Sequence, residues 1–269
     1  MTPYDLAYEY AMHTNECIFL TGKAGTGKTT FLRKLRTECP KQILVCAPTG
    51  VAAINAEGVT IHSLFQLPPQ MFRPTEQSRD HLFSEMRLTE QKLRLLRNLE
   101  LLVIDEVSMV RSDLLDAIDA VLRHVRHRRN LPFGGVQVLF IGDLYQLSPV
   151  AREEEWTQMQ AFYDGPYFFQ AVVFKELKPI YIELDKVFRQ TNADFVTILN
   201  QVRTNTLTAE SFNRLNSRYK PEYRDKNDIL LSTHNRKVDA INERELADIE
   251  APEFRFTAQV KDTFFEIPH

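Results

Sequence analysis

Residues 17–30 read CIFLTGKAGTGKTT. The segment opens on a short apolar run, meets every fixed position of GxxxxGK[ST] between Gly22 and Thr29, and ends in the first residues of a helical stretch. Strand, glycine-rich turn and helix in that order let backbone N–H groups curl round a phosphate, with the positive end of the helix behind them. Gly22, Ala24, Gly25, Thr26, Gly27, Lys28, Thr29 and Thr30 are therefore the candidate nucleotide-binding residues. Lys28 offers a point charge to the β- and γ-phosphate oxygens, and the Thr29 hydroxyl offers a ligand to Mg2+. A chance glycine-rich turn is the alternative, and the flanking strand and helix argue against it.

Outward from this loop, short apolar runs alternate with amphipathic segments, the pattern of a parallel sheet covered by helices. Strands are expected at Cys17–Thr21, Gln42–Ala47, Leu101–Asp105, Val136–Gly142 and Ile180–Leu184. Helices are expected at Thr30–Glu38, Val51–Ala56, Thr89–Asn98 and Asp113–Arg129. In the last of these, Leu114, Leu115, Ile118, Val121, Leu122 and Val125 fall at helical spacing and give one apolar face. Leu67–Leu82, polar and carrying Pro68, Pro69 and Pro74, reads as a surface excursion. A domain boundary is expected near Leu177–Pro179, followed by a helix around Ala193–Arg203 and a strand around Ile229–Ser232. The fold class is α/β, with one domain over 1–178 and the unfinished start of a second over 179–269.

Two further segments follow apolar runs. Asp105 and Glu106 end LLVIDE, which places carboxylates at the edge where the phosphate loop lies. There Asp105 can hold the hydration shell of Mg2+, while Glu106 can orient and deprotonate a water. A surface acidic pair after a strand is the plainer alternative, and the phosphate loop weighs against it. Gln146 lies in GDLYQLSPV (Gly142–Val150), directly after VLFI. A neutral amide at that edge can touch both the γ-phosphate and the attacking water; taken alone, the same segment is a polar loop.

Bulk properties narrow the classes. Of 269 residues, 43% are hydrophobic and 26% charged, enough for one large core or two modest ones. No apolar run approaches the roughly 20 residues that cross a bilayer, so no membrane partner is expected. The opening MTPYDLAYEYAMHTNE lacks the basic and apolar regions of a signal peptide, and a cytoplasmic or nucleoid location is expected. Cys17, Cys39 and Cys46 are odd in number and form no CxxC, so reduced thiols are expected rather than disulfides or zinc. A net charge of −3 argues against a protein that coats nucleic acid, though not against one that holds a strand in a local groove.

GKAGTGKTT, APTGVAAINAEGVTIHSLF (Ala47–Phe65), IDEVSMV (Ile104–Val110), PFGGVQVLFIGDLYQLSPV (Pro132–Val150) and LDKVFRQ (Leu184–Gln190) follow one another in this chain. In that order they resemble the PIF (petite integration frequency) family of DNA helicases, in the 5′-to-3′ branch of superfamily one beside the RecD-like enzymes. The resemblance implies a RecA-like P-loop NTPase domain with a parallel sheet, then the incomplete start of a second RecA-like domain. It also implies ATP and Mg2+ as cofactors, single-stranded and tailed or forked duplex DNA as partners, and a monomer. Lys28, Thr29, Asp105, Glu106 and Gln146 keep the roles given above. Arg189 in VFRQ is added by the resemblance as an arginine finger, since a guanidinium there offsets charge building on the transferred phosphoryl group. Read without the family, Arg189 is a surface charge.

The strand path is expected on the face away from ATP. Thr49, Gly50 and Val51 open a helix after QILVCA and can present N–H and hydroxyl groups to a backbone phosphate; a plain helix cap at Thr49 is the alternative. As in similar segments of the family, His62 and Phe65 would meet bases, unless His62 is a structural imidazole. Arg123, Arg126, Arg128 and Arg129, with His124 and His127, either line the strand or make a solvated helix face. Tyr163, Tyr167, Phe168 and Phe169 read as core packing. The chain departs from the family twice: its first glutamine is Gln42, so no glutamine precedes the loop to read adenine, and later motifs of the second domain are missing. The expected activity is ATP-driven 5′-to-3′ translocation and unwinding; the alternative is a nucleotide-switched module that binds single strands without unwinding.

Overall fold

The computed structural model describes residues 1–188, 192–221, 223, 228–252, 254 and 257. They divide into two compact units, Met1–Asn205 and Thr206–His269. In chain order the first unit contains α1 (Pro3–His13), β1 (Ile18–Gly22), α2 (Lys28–Glu38), β2 (Ile43–Ala47), α3 (Gly50–Asn55), β3 (Val59–Thr60), α4 (Ile61–Phe65), α5 (Glu76–Glu85) and α6 (Glu90–Asn98). It continues with β4 (Leu101–Ile104), α7 (Ser112–Val125), β5 (Gln137–Gly142), α8 (Glu153–Met159), β6 (Ile180–Leu184) and α9 (Ala193–Arg203).

The strands form one parallel sheet in the order β3-β2-β4-β5-β1-β6, with Ile18 beside both Leu139 and Ile180. Leu101–Ile104 and Gln137–Gly142 are buried at every position, as central strands of a sheet covered on both faces must be. Because side chains alternate along a strand, Leu102, Ile104, Val138 and Phe140 enter one core with α4, α6 and α7. Leu101, Val103, Leu139 and Ile141 enter the other, against Phe31, Leu32 and Leu35 of α2 and Ala7 and Ala11 of α1. Threonine caps recur at the helix starts: the Thr49, Thr60, Thr75 and Thr89 hydroxyls accept from the N–H of Ala52, Ser63, Ser78 and Lys92.

Several boundaries move for identifiable reasons. Helix α2 begins at Lys28, not Thr30, because Gly27 takes a left-handed φ of 94° and is itself the cap. Helix α7 stops at Val125, ahead of the expected Arg129, since His127 adopts a φ of 56°. The supposed surface excursion is tied down: Leu67, Phe72 and Leu82 are buried, and the Phe72 N–H donates to Asp113 Oδ2 at 3.1 Å. Strand β6 pairs with β1 throughout its length, so the first compact unit extends past residue 178. The N-terminal helix α1, closed by a reciprocal Thr2–Asp5 capping box, had no forecast.

The second unit contains α10 (Ala209–Asn216) and α11 (Asn235–Ala247), neither of which buries a residue. The strand expected at Ile229–Ser232 is not formed; Ile229 and Leu231 are 90% and 89% exposed, and no neighbouring strand is there to pair with them among the described residues.

Phe140 is fully buried and touches three rings, Phe133, Phe168 and Phe174, at centroid distances of 6.3, 5.6 and 5.6 Å. Phe140→Ala should cost about 3–5 kcal/mol of stability, read as a lower denaturant midpoint. Tyr181→Ala, at a 60% exposed edge position, should cost far less.

Candidate functional site at the carboxyl edge of the sheet

Every chemically suggestive loop of the first unit leaves the same edge of the sheet. The phosphate loop follows β1, Asp105 and Glu106 follow β4, and Asp143 to Gln146 follow β5. Parallel strands force this, because each must be entered from one edge and left from the other.

At Gly22 a side chain has no room: a Cβ there would lie 2.6 Å from the Leu184 carbonyl oxygen and 2.7 Å from Thr26 Oγ1. The loop is therefore pressed against the end of β6, and the Phe188 N–H donates to the Gly25 carbonyl at 2.8 Å. Thr26 is buried and ties the turn through its hydroxyl to the Lys23 carbonyl at 2.9 Å. The first helical bond of α2 is made by the Phe31 N–H to Gly27, at 2.8 Å. The N–H groups of Lys28, Thr29 and Thr30 precede it, which makes this helix start a donor set for an anion. Thr29 and Thr30 are exposed, while Ala24 stands out at the tip of the loop.

Lys28 Nζ donates to the Gly22 and Lys23 carbonyls at 2.6 and 3.2 Å. Desolvation lowers its pKa, against the pull of Asp143, Glu106 and Asp105, while Arg203 adds to the lowering. Three carboxylates and one further cation thus act on a single ammonium. Asp105 is half-buried; desolvation and the Glu106 charge raise its pKa to about 6, opposed by the Glu106 N–H and by Lys28. Glu106 itself sits at φ 50°, ψ 42°, a left-handed backbone rarely taken by a glutamate. Such a conformation costs on the order of 1–3 kcal/mol and is typical of functional sites.

Gln146 is exposed, and its Nε2 donates to Asp143 Oδ2 at 3.2 Å. Asp143 is 1% exposed and accepts from the Tyr145 N–H at 3.1 Å and from Arg203 Nη1 at 2.5 Å. Burial opposes ionisation, but the hydrogen bonds from Arg203 and Tyr145 hold its carboxyl below the ordinary range. Neither Asp143 nor Arg203 stood out as a site residue in the sequence. Asp143 had a signal, an acid directly after a buried strand; Arg203 had none, since 60 residues separate the pair. Arg189, the expected arginine finger, lies outside the described residues.

The expected nucleic-acid residues fare differently from one another. Thr49 caps α3, with Oγ1 accepting from the Ala52 N–H at 3.2 Å, and Gly50 and Val51 beside it are exposed. His62 is exposed, with its pKa lowered by desolvation and then by Arg111, so the ring is neutral at pH 7. Phe65 must be corrected: it is fully buried in the α7 side of the core, so its ring faces no strand. The basic cluster is largely structural. Arg123 pairs with Asp119 and Glu176, and Arg126 Nη1 donates to the Leu96, Arg97 and Leu99 carbonyls at the end of α6. Tyr163 and Phe168 are core residues as expected, whereas Phe169 is 41% exposed and stacks on Tyr167.

Comparison with known proteins gives a consistent picture. The family model described as PIF1-like helicase matches residues 3–211. The ATP-dependent DNA helicase PIF1 of Homo sapiens is 33% identical over 254 residues, 92% of this chain and 37% of that protein. Its namesake from Saccharomyces cerevisiae is 34% identical over 200 residues, covering 72% and 22% respectively. The crystal structure of a Bacteroides Pif1 helicase with ADP-AlF3 and single-stranded DNA superposes with a TM-score of 0.89 at 39% identity, over 100% of this chain and 62% of that one. This chain thus spans well under half the length of the curated relatives it matches. With a phosphate loop, an acidic pair and a glutamine loop on one sheet edge, and a family match over most of its length, the chain belongs to the PIF1-like helicase family.

Proposed function

We propose that the chain is the ATP-hydrolysing front portion of a 5′-to-3′ DNA helicase motor. The observation that carries this reading is the placement of Lys28 within the common field of Asp143, Glu106 and Asp105, at the start of a helix whose first amides face outward. Cradle, acid pair and amide loop on one edge are the parts of a nucleoside-triphosphate hydrolase.

Gly22 to Thr30 would hold the phosphates, with Lys28 leaving its two loop carbonyls for the β- and γ-oxygens. Thr29 and Asp105 supply oxygen donors of the kind that suits a hard cation, and Mg2+ held there would neutralise charge between the β- and γ-phosphates. Glu106 would take the proton of the attacking water, and Gln146 would orient that water against the γ-phosphate. Arg189, taken from the family resemblance, would offset charge on the transferred phosphoryl group. Unwinding polarity, and a second RecA-like domain that starts beyond the first compact unit, are part of the same proposal.

For DNA, Thr49, Gly50, Val51 and His62 form the grip on α3 and α4. The Bacteroides relative was crystallised with single-stranded DNA, and the exposed start of α3 supports a backbone-phosphate contact here.

Three outcomes are expected. Lys28→Ala should weaken nucleotide binding, whereas Glu106→Gln should keep binding and lose at least about a hundredfold in turnover; wild-type hydrolysis by Glu106→Gln in a protein of the relatives' length would remove Glu106 as the base. Single-strand affinity should fall steeply with added salt in a fluorescence titration, and His62→Ala should weaken it alike on all sequences; affinity indifferent to salt would rule out a phosphate groove. In strand displacement, this chain should hydrolyse ATP slowly and leave duplexes paired, while a chain of the relatives' length should unwind 5′-tailed substrates; unwinding from 3′ tails alone would defeat the polarity.

A further inference from the structure

The Asp143–Arg203 pair is unused by the chemistry above, yet Asp143 is hydrogen-bonded to Gln146 and Arg203 lies over the residue before it. Asp143 Oδ2 is shared, accepting from Gln146 Nε2 at 3.2 Å and from Arg203 Nη1 at 2.5 Å. Its other oxygen takes the Tyr145 N–H at 3.1 Å. The guanidinium of Arg203 also lies over the Tyr145 ring, 4.2 Å from its centroid. Tyr145 is 68% exposed, so the core does not fix that ring, and the overlying cation is its described contact. Arg203 itself is 16% exposed at the last turn of α9. One side chain therefore grips the loop at the residue before Gln146 and at the carboxylate to which Gln146 is bonded.

The consequence is geometric. A side-chain amide on an exposed loop would otherwise wander over several rotamers, and a glutamine that must meet a γ-phosphate and a water tolerates little displacement. Asp143 could hold Gln146 alone only if its carboxylate stayed ionised and fixed inside the sheet edge. A buried carboxylate without a partner is costly, and Arg203 Nη1 supplies that partner at 2.5 Å. By occupying Asp143, Arg203 gives Gln146 a fixed anchor.

We propose that Arg203 is a positioning residue for Gln146, acting through Asp143 and through the ring of Tyr145, and that it sets how well the site distinguishes a γ-phosphate-like group from none. This deepens the hydrolase reading and rests on it, since it takes Gln146 to be the γ-phosphate reader.

The test is a thermodynamic cycle on this 269-residue chain. Affinities for Mg–ADP and for Mg–ADP with aluminium fluoride are measured by fluorescence titration, alongside ATP turnover. Arg203→Ala should lower the preference for the aluminium fluoride complex by about tenfold, as the loss of one charge-assisted bond implies, with affinity for ADP alone nearly unchanged. Gln146→Ala should lower it similarly, and the double variant should be no worse than either single one. Arg203→Lys should recover most of the preference. Tyr145→Leu, at an exposed position where folding is not at stake, should lose part of it and add nothing to Gln146→Ala. Losses that multiply in the double variants would overturn the proposal by showing that Arg203 acts independently of Gln146. An equal fall in ADP affinity would also overturn it, leaving Arg203 a merely structural role. Should Gln146→Ala alone change nothing, the assignment of Gln146 itself fails and the proposal with it, a signature distinct from multiplied losses.

Discussion

The site depends on the close approach of the β1 turn to the end of β6. Where a Cβ on Gly22 would meet the Leu184 carbonyl at 2.6 Å, only glycine lets the loop lie flat against its neighbouring strand. That contact is possible because β1 is sandwiched between β5 and β6 in parallel register, with Gly22 opposite Leu184 and Thr21 opposite Gly142. Each strand thus delivers its following loop to the same level. The phosphate cradle, the acids after β4 and the amide loop after β5 converge without any long-range side-chain contact having to gather them. Apolar burial on both faces fixes the level, since a slip of one residue would turn Leu139 and Phe140 to the wrong cores.

Once the backbone has gathered these groups, electrostatics decides how they share the space. Lys28 faces three carboxylates, and Asp105 and Glu106 are neighbours whose charges oppose one another. Asp143 pairs directly with Arg203 while its charge still acts on Lys28. Asp105 is disfavoured as an anion here by its burial and then by the neighbouring Glu106 charge.

Much of this was legible because the informative signals are local. Runs such as VLFI and LLVI need no partner to be recognised as strands buried on both faces, and the glycine-rich turn carries its conformation in its residue types. What escaped was non-local. Phe72 in a proline-rich stretch gives no sign that its N–H will cap Asp113, and Arg203 ends an amphipathic helix like many surface arginines. The misreading of Phe65 has a different origin. His62 and Phe65 share the one short helix α4, but Ile61, Leu64 and Phe65 fill the core and leave only His62 and Ser63 outside. A family segment transferred whole assigned both residues to DNA, and burial separates them.

The left-handed backbone at Glu106 ties these themes together. After Ile104 the chain must leave a fully buried strand and turn at once into the 3-10 turn Val107–Met109, whose Val107 and Ser108 are buried. Gly142, on the adjacent strand, lies so close to this turn that a Cβ there would meet Val107 Cγ1 at 2.9 Å. The turn therefore cannot relax toward β5, and the strain falls on the residue between strand and turn. That residue is Glu106, the proposed base. Packing of the sheet edge thus fixes the backbone conformation from which the proposed base departs.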